Sequence, residues 1–139
     1  MCGILDAIAA ADAIILGSPV NFSTVTAVTK RFIERLICLA YWPRGAKGPV
    51  PRKKVESRPA VVVASSAAPA LISRLFTGHL KLLKSAVRLM GFQPVGILFI
   101  GTAAQTKRPG LQANRRGKAA KLGKKLARKN NRTKKPEGR

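Results

Sequence analysis

Short apolar runs alternate with stretches of helical periodicity along most of the chain. Consecutive Val, Ile and Leu residues bounded by Gly, Ser or Pro are typical of strands that are buried on both faces of a parallel sheet. Three such runs predict three strands, over residues 13–17, 60–64 and 95–100. Ser18-Pro19 is expected to end the first strand, because proline cannot donate a hydrogen bond to a ladder.

Apolar residues that recur every three or four positions predict amphipathic helices between and after these strands. The expected helices are a short one over residues 3–11, one capped by Ser23 or Thr24, one opened by Pro69 and closed by Gly91, and one from about Leu111 to Lys129. The second helix carries an apolar stripe formed by Val25, Val28, Phe32, Ile33, Leu36, Ile37 and Ala40. Residues 42–58 predict a long loop, because they are rich in Pro, Gly, Lys and Arg.

The alternation of strands and helices determines the expected fold class. Right-handed βαβ units produce a parallel sheet with helices on its faces. We therefore expect an α/β domain over residues 1–129 and a basic disordered tail over residues 130–139.

The formal net charge of +22 is concentrated near the C-terminus. Residues 107–139 hold fourteen Lys and Arg against one acid, Glu137, whereas residues 57–106 hold five basic residues and no acid. The segment between Arg115 and Lys135 predicts non-specific, salt-sensitive contact with nucleic acid, since phosphate contacts need only Lys and Arg within reach. It has no interleaved aromatic residues for base stacking, and a solvated extension accounts for the same composition.

Cys2 and Cys38 are too few for a structural zinc or iron–sulfur site, which takes about four ligands. The start of the chain does not have the pattern of a secretory signal, so a cytoplasmic protein with reduced cysteines is expected. A disulfide between the two cysteines is the alternative. No apolar run approaches the roughly 18 residues of a membrane helix, so no membrane contact is predicted.

Three small, polar loops follow the predicted strands, over residues 17–23, 65–69 and 101–105. Ligands of an open parallel sheet bind outside the carboxyl ends of its strands, where these loops meet. Their Gly and Ser residues let backbone N–H groups approach a flat or anionic ligand closely. The same residues are common in ordinary strand-end turns, and the composition does not separate the two interpretations.

The segment from Ala11 to Arg35, ADAIILGSPVNFSTVTAVTKRFIER, resembles the third-strand motif of the NAD(P)H-dependent FMN reductase and iron–sulfur flavoprotein family. Members carry an Ala-Asp pair, an apolar strand, a Ser-Pro-x-Tyr/Asn-Phe loop and a helix with a Lys and an acidic-Arg pair. A looser resemblance continues through Ser65-Ser66 and the last strand, over about residues 3–129. It implies a flavodoxin-like three-layer sandwich with a parallel sheet of strand order 2-1-3-4-5.

The resemblance also implies FMN as the cofactor and NAD(P)H as the co-substrate. In the family, the loop after the third strand lies along the isoalloxazine ring, and the loop after the fourth closes the other side of the flavin. The positions of this chain that match these loops are Ser18, Pro19, Val20, Asn21, Phe22, Ser23, Ser65, Ser66, Ala67 and Ala68. A hydride would pass to flavin N5 and the electrons would leave to a quinone, nitro compound or free flavin, so neither a catalytic side chain nor a metal ligand is expected.

Family members begin with a strand, a Ser/Gly/Arg loop that holds the FMN phosphate, and a second strand. The iron–sulfur branch also carries a close-spaced cysteine motif upstream. This sequence contains neither, so we expect the first two strands to be missing and Met1 to be an internal methionine of a longer coding sequence. The strand over residues 13–17 would then have a bare edge.

Several side chains allow more than one interpretation. His79, the single histidine, is expected to be a packed or half-exposed helix residue, and the alternative is a catalytic role. Tyr41-Trp42 would line the substrate side of the flavin, form a subunit contact or simply pack. Asn21 would hydrogen-bond the flavin edge or serve a turn. Lys30 and Arg35 would lie at a subunit interface or on a solvated helix face.

Three functions follow. The first is an FMN-dependent NAD(P)H oxidoreductase of the FMN reductase or quinone reductase type, expected to form a homodimer or higher oligomer. The second is a basic protein that binds nucleic acid through its tail. The third is a flavodoxin-like fragment without activity, because an uncovered central strand is an aggregation template.

Overall fold

The computed structural model describes residues 2–52, 58–69, 78–102 and 113–134. The predictions for residues 53–57, 70–77, 103–105, 111–112 and 135–139 lie outside these ranges. In chain order the elements are α1 (Cys2–Ala10), β1 (Ile14–Pro19), α2 (Ala27–Arg35), a 3₁₀ turn (Leu36–Leu39), β2 (Ala40–Tyr41), β3 (Val50–Pro51), β4 (Pro59–Ser65), α3 (His79–Leu89), β5 (Gln93–Ile100) and α4 (Ala113–Lys134).

The main sheet is parallel and has the order β1-β4-β5 in the described part of the chain. Leu16 of β1 pairs with Val62 of β4, and Val62 pairs with Ile97 of β5. The three predicted strands and their parallel arrangement are thus confirmed. Their order agrees with strands 3-4-5 of the expected flavodoxin-like sheet.

Helices cover both faces of this sheet. On one face, Val62 of β4 packs in a buried cluster with Leu83 and Val87 of α3 and with Leu36, which follows α2. On the other face, α4 contacts β5 and β4. Leu122 of α4 lies against Gly96, where the absence of a side chain lets the helix approach the sheet.

The expectation that all three strands are buried on both faces is wrong for β1. Ile15 is 66% exposed, whereas its ladder partner Val61 on β4 is 4% exposed. Both residues lie on the sheet face that α4 covers, since side chains alternate along a strand and paired residues share a face. Helix α4 contacts β4 and β5, and β1 keeps its Ile15 face open.

Several boundaries differ from the predictions. Strand β1 continues through Pro19, which an edge position permits. Thr26 caps α2, with its Oγ1 accepting from the N–H of Thr29 at 3.3 Å, in place of the expected Ser23 or Thr24. The predicted loop 42–58 contains β3, which pairs antiparallel with β2. Helix α4 extends to Lys134, so residues 130–134 are helical.

Two further features explain how α1 and α3 end. The Arg58 guanidinium donates to the carbonyls of Ala9 and Ala11, both at 2.9 Å, and so caps the C-terminus of α1. Its central carbon lies 4.3 Å from the centre of the Phe92 ring, a cation–π contact. Gly91 follows α3 with φ of 87°, as the prediction of a helix-ending glycine requires.

Candidate functional site

Loops after the three parallel strands meet at the carboxyl edge of the sheet, as the fold class requires. We call their described parts, residues 18–24, 65–69 and 101–102, the rim loops. Backbone hydrogen bonds connect them. The N–H of Val20 donates to Ser65 O at 2.7 Å, that of Ser66 to Ile100 O at 2.8 Å, and that of Thr102 to Ala68 O at 3.1 Å. The rim loops therefore form one continuous surface.

Residues 21–24 form a tight turn at the end of the first rim loop. The N–H of Asn21 donates to Thr24 O at 2.8 Å, and the N–H of Thr24 donates to Asn21 O at 3.0 Å. The two central residues have positive φ, 44° for Phe22 and 63° for Ser23. Two positive φ values define a type I′ turn, in which Asn and Gly are the favoured residues. A phenylalanine there is strained, and such strain is concentrated at functional sites.

The strained turn presents its aromatic ring to solvent. Phe22 is 96% exposed, the highest value among the exposed large apolar residues of the described ranges. Pro19, Asn21, Ser23, Ala67 and Ala68 are also exposed, and Val20 and Ser65 are half-buried. Eight of the ten positions that were predicted to contact flavin are thus accessible at least in part, since Ser18 and Ser66 are buried.

The hydroxyl groups of the two buried serines form hydrogen bonds with nearby backbone groups. Ser18 Oγ donates to Pro19 O at 2.9 Å and accepts from the N–H of Thr26 at 3.2 Å, which ties the first rim loop to the start of α2. Ser66 Oγ accepts from the N–H of Ala68 at 3.1 Å. These side chains shape the rim loops and do not project from them. The hydrogen bond from the Thr26 N–H to Ser18 could not be predicted from the sequence, because every residue except proline has a backbone N–H.

His79 lies at the start of α3 beneath the first rim loop and has no exposed surface. Its Nε2 is 3.1 Å from the carbonyl oxygen of Ser18, 61 residues away in the chain. Burial lowers the pKa of the His79 imidazole below its ordinary value of 6.5, and the carbonyls of Ser18 and Pro19 oppose this effect in part. Of the two expected arrangements, packed or half-exposed, the structure has the packed one, and the contact of His79 is with the candidate site.

The rim loops suit an uncharged planar ring better than an anion. Their sequences, SPVNFST, SSAAP and GT, contain no acidic or basic residue. Their accessible parts are an aromatic ring, a proline, two alanines and backbone edges. This chemistry fits the isoalloxazine ring of FMN. The rim loops contain no Lys or Arg that could hold the FMN phosphate.

Other sequence candidates lie away from the rim loops or on open surface. Lys30 is half-exposed and pairs with Glu34 at 3.6 Å. Cys38 is exposed and has no disulfide. A cavity of about 320 Å³ lies near the opposite end of the sheet, beside Arg58 and Gly91. Within the described ranges there is no group of three His, Cys, Asp or Glu side chains that could hold a metal ion.

In the part of the chain that the structure describes, no helix is both long enough and apolar enough to cross a membrane.

Comparison with known proteins gives a family match and several similar folds. The model of the family described as NADPH-dependent FMN reductase matches residues 3–103, more than half of the chain. No curated protein matches. An azoreductase from Bacillus anthracis str. Sterne superposes with a TM-score of 0.56 at 15% identity, over 94% of this chain and 60% of its own.

Two further solved structures are similar. A WrbA-like flavodoxin from Agrobacterium tumefaciens gives a TM-score of 0.55 at 17% identity, over 93% of this chain and 72% of its own. A thermophilic tryptophan halogenase from Streptomycin violaceusniger gives 0.53 at 13% identity, over 90% and 71%. At these identities the likeness establishes a flavodoxin-like α/β fold and not an activity.

Proposed function

This chain belongs to the NADPH-dependent FMN reductase family, and we propose that it acts as an FMN-dependent NAD(P)H oxidoreductase with the flavin ring against the rim loops. FMN is the cofactor of the family and NAD(P)H its co-substrate. The observation that carries the proposal is the exposed, strained turn of residues 21–24, which is joined to the second rim loop through the Val20–Ser65 hydrogen bond.

The residues that would hold the ring follow from their exposure. Phe22, Pro19 and the backbone of residues 20–23 would contact one side of the flavin, and Ala67 and Ala68 would close the other. The side-chain amide of Asn21 would hydrogen-bond the polar edge of the ring. The small alanine side chains leave room for a planar group at close approach.

When bound, FMN would supply the redox chemistry: it would take a hydride from the nicotinamide at N5 and pass two electrons to an acceptor such as a quinone, which would take its protons from solvent. The rim loops would place the ring and exclude water from the parts of it that they contact. Because they contain no acid or base, they would not move a proton during the reaction.

A bulky side chain on the rim tests the proposal. Ala67→Trp adds a large group at an exposed position of the second rim loop, and Ala127→Trp adds the same group at an exposed position of α4. Flavin binding is followed by quenching of FMN fluorescence, and turnover by NADPH oxidation with a quinone acceptor. We expect Ala67→Trp to weaken FMN binding at least tenfold, about the loss of one good contact, and Ala127→Trp to leave it unchanged. Equal binding by both variants, or no FMN binding by the unaltered chain, would contradict the proposal.

A homodimer is part of the proposal, supported by apolar side chains near β2 and β3. Ile37 is 69% exposed, Trp42 67% and Tyr41 48%, and apolar groups gathered on a surface are typical of interfaces. Sedimentation velocity over a range of concentrations should show a dimer whose dissociation constant rises in Trp42→Ser. A monomer at all concentrations would refute this part of the proposal.

A second candidate function is the binding of nucleic acid along α4. Six cations of α4 are exposed, at Arg116, Lys118, Lys121, Lys124, Lys125 and Arg128, and the helix sequence contains no acid. The inner face packs on the sheet through Leu122. Six phosphate contacts predict that log Kd for single-stranded RNA changes with log salt with a slope of roughly four. A slope near zero would exclude this function.

A further inference from the structure

The hydrogen bond between His79 and Ser18 joins the candidate flavin surface to the core. Carbonyl oxygens only accept hydrogen bonds, so Nε2 of His79 must carry the proton at this 3.1 Å contact. Nδ1 is then the unprotonated nitrogen of a neutral ring. Nδ1 is buried and has no hydrogen-bond partner in the described ranges, which agrees with a ring that stays neutral.

Ser18 is the point at which the first rim loop is fixed. Its carbonyl accepts from His79, and its hydroxyl accepts from the N–H of Thr26. Two residues further along, Val20 bonds to Ser65, and the strained turn of residues 21–24 follows directly. A backbone that is strained persists only where its surroundings hold it in place. His79 provides one of these restraints from outside the loop.

We infer that His79 is a positioning residue, which holds the Ser18 carbonyl by its Nε2–H and thereby keeps the turn of residues 21–24 in the flavin-facing arrangement. The inference rests on the proposed function for its relevance to flavin, while the restraint on the loop is a property of the protein alone.

The position would otherwise favour an aliphatic residue. His79 has no exposed surface and lies near the apolar cluster of Leu83 and Val87. Among the described residues Nδ1 has no hydrogen-bond partner, and a polar nitrogen that is buried in this way destabilises the folded state. A leucine would fill the space without this cost, so the feature that a leucine lacks is the Nε2–H donor. Complete burial also excludes contact between the imidazole and a substrate.

Two variants distinguish the loss of the Nε2–H donor of His79 from a change in the volume of its side chain. His79→Gln retains an N–H donor at about the reach of Nε2, whereas His79→Leu fills the space without a donor. Native-state hydrogen exchange reports the loop through the bonded amides of Asn21 and Thr24, and the core through the amide of Val62 in the central strand. The exchange rates of both variants are measured without flavin, and their FMN affinities are measured in a separate experiment.

We expect His79→Leu to accelerate exchange at Asn21 and Thr24 about tenfold relative to Val62, the effect of losing one hydrogen bond. His79→Gln should restore the rate to within about threefold. FMN affinity should follow the same order. Uniform acceleration at all three amides, or no rescue by glutamine, would show that the side chain only fills space and would overturn the inference.

The unaltered chain provides a test that does not depend on either variant folding. The ¹⁵N shifts of the imidazole should show a neutral ring protonated at Nε2, with slow exchange of that proton. A ring protonated at Nδ1, or a charged ring at neutral pH, would overturn the inference. Since the exchange and tautomer measurements use no flavin, failure of FMN to bind the unaltered chain would refute the proposed function without deciding the role of His79.

Discussion

Replacing Phe22 by glycine separates the two properties that the turn of residues 21–24 combines, a disfavoured backbone and an exposed aromatic ring. Phe22 has φ of 44° and Ser23 has φ of 63°. Because the Phe22 side chain is 96% exposed, its removal forfeits almost no buried area. The effect of Phe22→Gly on stability therefore comes from the backbone, and its effect on ligand binding comes from the ring.

Phe22→Gly should raise stability and weaken FMN binding. Relief of the left-handed conformation stabilises the folded state by about 1–2 kcal/mol, and the extra freedom of glycine in the unfolded chain offsets about 0.5–1 kcal/mol of this. The net gain is about 0.5–1 kcal/mol. For a chain of 139 residues, an unfolding entropy of about 0.3 kcal/mol/K converts this gain into a Tm rise of roughly 2–3 °C. Loss of ring stacking, about 0.5–1.5 kcal/mol, weakens FMN binding roughly two- to tenfold.

Two further variants complete the assay, which combines thermal unfolding with FMN titration. Phe22→Ala removes the ring but keeps the strain, so FMN affinity falls and Tm stays within about 1 °C. Ser23→Gly relieves strain at φ of 63° and keeps the ring, so Tm rises and affinity is unchanged. A lower Tm in Phe22→Gly would refute the reasoning about strain. Unchanged FMN affinity in both Phe22 variants would refute the role of the ring.

Three more predictions concern the packing and the titration of the domain. Arg58→Met removes the cap on α1 and the contact with Phe92, and should cost about 2–4 kcal/mol and lower Tm by roughly 10 °C, whereas Arg44→Met in an exposed turn should change Tm little. Gly91→Ala places a side chain at φ of 87° and should lower Tm by roughly 3–5 °C in the same thermal assay. Because burial lowers the pKa of His79 below 6.5, the unfolded chain takes up a proton first as the pH falls, so stability is lost from pH 6.5 downwards until the folded-state pKa is passed. Urea midpoints should show this loss, and a pH dependence equal in His79→Gln and the unaltered chain would contradict it.

The strands were predictable because their apolar residues are consecutive. Residues 60–64 read as a buried strand, and β4 is the central strand of the described sheet. The exposed face of β1 was not predictable from Ile15, since burial there depends on how far α4 extends across the sheet. Strands β2 and β3 have two residues each, too few for an alternation to be recognised.

The location of the candidate site could be predicted from the fold, but the roles of its individual residues could not. Parallel strands bring their following loops to one edge, so the proximity of Val20 and Ser65 could be expected. The inward direction of the Ser18 hydroxyl depends on the backbone around Thr26. The contact of Ser18 with His79 spans 61 residues, and no local pattern indicates a contact of that separation.

Flavin titration of the ¹⁵N-labelled chain tests the central claim most directly. Both FMN and riboflavin are used, because riboflavin has no phosphate that could bind the cations of α4. The account predicts that both flavins shift the amide signals of residues 20–24 and of Ala67 and Ala68, while those of Gly91 and Leu122 stay unchanged. Shifts confined to α4, or to residues around the cavity beside Arg58, would contradict it.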